Sequence, residues 1–201
     1  LWETALEADP AGMIERRGDT VYLSDLAGNL YAFGAQGLLW QFKPDGATKA
    51  TNRPIVGPDG RLYYVVLIDH RAYVQAVNPD GTPSWQAPVK TGFFTYDLQI
   101  NGAGTLLFLR EDIYDTQAGM RLDLTPPFRV DEYIMGEDGL NYVRVGHVVS
   151  QWELTENGME IVKTASWNYQ SMGSAPFMTF VTAQKVIWLY YGSTLIWLDM
   201  D

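Results

Sequence analysis

Bulky aromatic residues recur along this chain at a spacing that few architectures produce. Trp2, Trp40, Trp85, Phe128 and Trp167 stand 38, 45, 43 and 39 residues apart. A period of about 40–45 residues is that of one four-stranded blade in a β-propeller. The interior of each interval repeats as well. A short polar or small-residue segment leads to a turn, and two apolar runs follow with a tight tip between them. In the second interval Arg53-Pro54-Ile55-Val56 runs into Gly57-Pro58-Asp59-Gly60. The apolar run 61–68 then reaches the tip Asp69-His70-Arg71, and 72–77 returns to Asn78-Pro79-Asp80-Gly81, ahead of Trp85. Paired runs also flank 25–29, Glu111-Asp112, Gly146-His147 and Gly192-Ser193.

These runs are short, β-branched and aromatic, and they are punctuated by Gly and Asp-Gly, which is the signature of strands joined by tight hairpins. Several are almost continuously apolar. A strand with one solvated face alternates; a strand covered on both faces need not. Tyr63-Tyr64-Val65-Val66-Leu67-Ile68 therefore fits a sheet packed between two neighbours better than a sandwich with a wet face. The expected fold is all-β: a propeller of four-stranded antiparallel blades in a single domain, 1–201. The blades fall at 9–46, 47–90, 91–130, 131–168, and 169–201 together with 1–8. The last stretch has room for only three strands, near 174–181, 186–191 and 194–200, while 1–6 reads as an outer strand without inner partners. One blade built from both ends would close a five-bladed ring and leave no open edge. An arc of a longer propeller is the other reading, and the opening Leu1-Trp2, without an initiator methionine, reads as a processed product or a fragment.

Pro54-Ile55-Val56-Gly57-Pro58-Asp59-Gly60-Arg61-Leu62-Tyr63 resembles the first half of a PQQ-like propeller repeat. Leu30-Tyr31-Ala32-Phe33 with Gly37-Leu38-Leu39-Trp40 resembles the second half, as does 76–85. The likeness is good over 19–90, weaker over 91–168 and partial beyond. It implies that the glycine makes the turn into the outer strand and that the tryptophan docks on the adjacent blade. Trp2, Trp40, Trp85 and Trp167, with Phe128 in the third blade's slot, take that docking role. Enzymes of the family set an adjacent cysteine pair and a calcium ion against a quinone cofactor. This chain has no cysteine and no matching ligand set, so the resemblance carries strands and turns without the chemistry. It points instead to the non-enzymatic bacterial propellers that scaffold outer-membrane assemblies. The expected setting is thus extracytoplasmic, periplasmic or at the cell surface, with protein partners in a larger complex and association with the membrane only through them.

Composition narrows the function further. With 14 basic against 24 acidic residues the net charge is −10, which repels nucleic-acid phosphates and anionic lipid surfaces. Zero cysteines exclude disulfides, thiolate metal sites and cysteine nucleophiles. The apolar, uncharged stretch 186–198 is too short to span a bilayer, no signal-peptide pattern is present, and no Asn starts an N-glycosylation triplet.

Motifs for hydrolase nucleophile elbows, zinc proteases, phosphate loops and EF-hands are absent. No cofactor, metal or catalytic residue is expected. Charged residues on the innermost strands, Glu15, Arg53, Asp97, Asp131 and Glu132, could converge in the central funnel and serve a sugar-active enzyme or lectin. Glycoside hydrolysis asks for two carboxylates there, but charges lining a wet channel are also unremarkable. His70 and His147 fall on hairpin tips with Asp69, Arg71, Arg110, Glu111 and Asp112, on the expected rim where a partner protein would dock.

Overall fold

The computed structural model describes residues 2–92, 98–110, 112–123, 132–135, 140–145, 148–155, 158–166, 178–181, 186–191 and 194–199. Contacts divide the chain into two compact units, 1–98 with 114–121 and 99–113 with 122–201. Among the described residues the secondary structure is entirely β.

The first unit holds two complete sheets. In the first, β1 (Glu15–Arg17), β2 (Thr20–Ser24), β3 (Leu30–Gly34) and β4 (Gly37–Phe42) pair antiparallel in chain order. The second has its inner strand in two pieces, β5 (Ala47–Ala50) and β6 (Ile55–Val56), both on β7 (Leu62–Ile68). β8 (Arg71–Val77) and β9 (Val89–Thr91) follow. Asn52 mends the break between β5 and β6: its Oδ1 accepts the Val65 N–H at 2.8 Å, where a strand carbonyl would otherwise serve.

The continuous apolar run in β7 has a simple cause. Leu62, Tyr64 and Val66 share one core cluster with Tyr22, Leu30 and Ala32 of the first sheet. On the alternate positions, Tyr63 meets Trp85 with ring centroids 5.7 Å apart. Both faces are covered, so both must be apolar.

A third sheet pairs β10 (Gln99–Ile100), β11 (Leu106–Leu109), β12 (Asp112–Asp115) and β13 (Met120–Leu122) in order. Within the second unit a fourth contains β14 (Glu132–Met135), β15 (Asn141–Val145), β16 (Val148–Thr155) and β17 (Gly158–Ser166). Leu106, Phe108 and Ile113 pack there against Val143 and Trp152, with Phe108 edge-on to Trp152 at 5.6 Å. A final sheet has three strands, β18 (Met178–Val181), β19 (Val186–Tyr191) and β20 (Thr194–Asp199).

One sequence expectation needs correction. Residues 2–6 form no strand. Leu6 instead packs against Leu23, Tyr31 and Phe33, while Trp2 stacks on Phe33 at 5.6 Å, so side chains rather than a backbone ladder hold this segment on the first sheet. Trp85 lies outside any strand, between β8 and β9. Pro79, Pro83 and Pro88 remove backbone donors from the stretch after β8, leaving one isolated bridge, Val77 to Pro83, before pairing resumes at β9.

Candidate functional site

Each described indole of the ladder engages the turn between the third and outer strands of a sheet. Trp2 Nε1 donates to the Ala35 carbonyl at 3.0 Å, Trp40 Nε1 to Pro79 at 2.9 Å and Trp85 Nε1 to Thr116 at 2.9 Å. Two or three residues beyond each carbonyl stands a glycine with positive φ: Gly37, Gly81 and Gly119, at 121°, 87° and 63°. A Cβ on Gly81 would lie 2.8 Å from the Trp40 ring, and one on Gly119 would lie 2.7 Å from Trp85. Glycine thus supplies both the backbone conformation and the flat seat. Gly81→Ala is expected to lower stability by about 2 kcal/mol, from left-handed strain plus displacement of the indole, read as the shift in a urea unfolding midpoint. At the Thr116 joint the Arg61 Nη1 donates to the same carbonyl at 2.6 Å. Phe128 and Trp167 lie outside the described residues.

The first sheet contains a buried polar network that its sequence conceals. Asp25 is 0% exposed. Its Oδ1 accepts the N–H groups of Ala27 and Asn29, each at 2.9 Å. Its Oδ2 accepts the Tyr31 hydroxyl at 2.7 Å and Asn29 Nδ2 at 2.9 Å. Asn29 Nδ2 also donates to Glu7 Oε2 at 2.9 Å, which ties the N-terminal segment to the sheet. Burial pushes the Asp25 carboxyl upward, but the donors around it outweigh that and hold it below the usual carboxylate range. Burial, reinforced by the bond to Asp25, pushes the Tyr31 hydroxyl up to about 12. The carboxylate is fully occupied by its own chain, so this network is structural.

Of the funnel candidates, Glu15 and Arg53 come together. Glu15 begins β1 and Arg53 lies between β5 and β6, with Arg53 Nη1 3.8 Å from Glu15 Oε2. The Gly12 backbone comes so close to the Asn52–Arg53 peptide that a Cβ there would sit 2.8 Å from the Arg53 nitrogen. Asp97 and Asp131 fall outside the described residues. Glu132 is placed only by register, as the β14 residue opposite Arg144 of β15.

The hairpin tips hold the unusual backbone. β7 and β8 are in register from Leu62–Val77 to Ile68–Arg71, so Asp69 and His70 alone make the turn. Their φ values are 49° and 60°. Positive φ at both central positions is the type I′ arrangement, whose preferred residues are Asn and Gly. Asp and His tolerate it better than most side chains. Arg110, at the tip between β11 and β12, has φ 53°. Asp69, His70, Arg71 and Arg110 are exposed, and Asp112 is half-buried at the start of β12. Glu111 and His147 lie outside the described residues. Sequence reading finds these tips by their charge; their strain shows only in the backbone. Among the described residues no group of three His, Asp or Glu side chains could hold a metal ion, and no helix is long and apolar enough to cross a membrane.

Consecutive antiparallel four-stranded sheets, packed face to face within the units and seated indole on turn, define a β-propeller. No protein-family model and no curated protein matches the chain. Solved structures do. Virginiamycin B lyase from Staphylococcus aureus is similar over 96% of this chain and 71% of its own, with a TM-score of 0.60 and 12% identity. A protein of unknown function from Bacteroides caccae is similar over 100% and 82%, with a TM-score of 0.51 and 17% identity. A chain of the mitotic checkpoint complex is similar over 94% and 63%, with a TM-score of 0.57 and 9% identity. These likenesses carry the fold. One of these neighbours is an enzyme, and at 12% identity its activity does not transfer.

Proposed function

We propose that this chain is a non-catalytic propeller that presents its charged hairpin tips to a protein partner. The observation that carries the reading is the left-handed backbone at Asp69, His70 and Arg110. Glycine would relieve each position, because an L-residue there costs about 1–2 kcal/mol. Exposed, charged residues held where glycine would sit without strain point to a use outside the fold. The indole joints supply the complementary property: a stiff frame on which such tips keep their geometry. The repeats belong, in this reading, to the PQQ-like kind, which the positions of Trp40, Gly81 and Trp85 support. The setting is an extracytoplasmic bacterial assembly, a placement that rests on that resemblance alone. A mitotic checkpoint assembly contains a chain of similar fold, which fits a role in a complex.

The test replaces the tip by its relaxed equivalent, Asp69→Asn with His70→Gly. Stability should rise by about 1 kcal/mol, and the partner recovered with the wild-type chain under mild purification should be lost. A stabilised variant that still recovers the same partner would move the docking surface elsewhere.

A second reading, a sugar-binding or sugar-active funnel, draws support from the Glu15–Arg53 pair, which sets a carboxylate on β1 beside a cation in the break between β5 and β6. Hydrolysis needs a second carboxylate within about 5–10 Å. Among the described residues that pair offers only Glu15.

A further inference from the structure

The outer edge of the second sheet carries a surface that runs against the net charge of this acidic chain. An open groove of about 470 Å³ runs between the segment 85–90 and the turn 118–121. Its walls are pinned together by Trp85: the indole donates to the Thr116 carbonyl at 2.9 Å and lies on Gly119. The groove therefore exists before anything binds, and a ligand would not have to organise it. Lys90 stands on one wall and Arg121 on the other, both exposed, and no carboxylate is among the described lining residues. For a chain of net charge −10 this is a local reversal of sign. The companion groove of about 450 Å³ on the other side of the same segment lacks that character. It places the carboxylate of Asp45 among its lining residues beside Lys43, so its charge is mixed.

Two more features fit the basic groove to one class of occupant. β9, which supplies Val89 and Lys90 to the wall, is the last strand of its sheet, so among the described residues no strand pairs with its outer side. Met120, on the opposite wall, is 52% exposed and offers an adaptable apolar contact. An extended segment laid along β9 would gain main-chain hydrogen bonds, and its side chains would alternate between the two sides of the groove. We propose that this groove binds an extended acidic peptide segment of a partner protein, its carboxylates on Lys90 and Arg121 and its apolar side chains over Met120. The site is independent of the hairpin tips.

The proposal is tested by fluorescence anisotropy with a labelled peptide of alternating glutamate and valine, against a counterpart of alternating lysine and valine. The acidic peptide should bind the full chain, and high salt should weaken it by screening. Lys90→Glu with Arg121→Glu should reduce affinity about tenfold or more, with an unchanged thermal unfolding curve. Should that double reversal fail to fold, Lys90→Gln with Arg121→Gln provides the same comparison with a smaller loss. Methylating alternate backbone nitrogens of the peptide should also weaken it, because strand addition needs those donors. The Asp69→Asn, His70→Gly variant should bind the peptide like wild type, which separates this site from the tips. Equal binding of the acidic and basic peptides, indifference to charge reversal, or complete displacement by free glutamate would overturn the proposal.

Discussion

Replacing Trp85 by alanine is expected to lower stability by about 3–5 kcal/mol, measured as the displacement of a urea unfolding midpoint at constant slope. The indole is 5% exposed, so nearly its whole surface returns to a cavity or to water when it is truncated. The Thr116 carbonyl, itself on a buried residue, loses one of its two donors and keeps the Arg61 guanidinium. Tyr63 loses its aromatic neighbour. Trp85→Phe should restore most of the packing and leave a deficit of about 1 kcal/mol for the missing N–H donor. Trp2 makes the same kind of bond to Ala35 but is 45% exposed, so Trp2→Ala should cost about 1–2 kcal/mol. An equal loss at Trp2 and Trp85 would mean that burial does not set the strength of these joints.

The second large effect is at Asp25. Asp25→Ala removes a buried acceptor from two backbone N–H groups, one hydroxyl and one carboxamide, and should lower stability by about 3–4 kcal/mol. Asp25→Asn keeps the shape and one oxygen but turns a second acceptor into a donor facing donors, so it should rescue little. The same network predicts a pH dependence. Burial raises the carboxyl, the hydrogen bonds lower it further, and the net folded value lies below the unfolded one. The stabilisation is therefore fully present above the ordinary aspartate range and is lost as pH falls through the depressed folded value. Wild-type stability should decline on acidification, and Asp25→Asn should flatten that decline. Parallel declines in both proteins would assign the acid sensitivity to other carboxylates.

The parts of this molecule visible in its sequence are those written as repetition. Tyr63 to Ile68 gives away its doubly covered strand by refusing to alternate, and the run 72–77 pairs with it residue for residue around a two-residue tip. The tryptophans mark the joints because their indoles reach the next turn and donate to its carbonyl. What stayed hidden is either irregular or assembled across distance. Asp25-Leu26-Ala27-Gly28-Asn29 looks like any polar loop, yet the structure buries both of its polar ends. Trp85 resembles Trp40 in sequence context, yet Trp40 lies within β4 while Trp85, in a stretch interrupted by three prolines, lies outside any strand. Left-handed backbone at Asp69 and His70 carries no glycine to announce it. The basic groove joins residues about thirty positions apart, and neither Lys90 nor Arg121 stands out alone. Glu15 and Arg53 were both readable as inner-strand charges; that they face each other depends on the break between β5 and β6.

The indole-on-turn joint has an implication for how such chains grow. One side of the connection needs only a tryptophan, and the other only a carbonyl followed by a glycine, so each segment carries a plug at one end and a socket at the other. Any added copy arrives with both fittings in place. A gene encoding such a chain could lengthen or shorten by whole modules without new complementarity having to be invented at the junction.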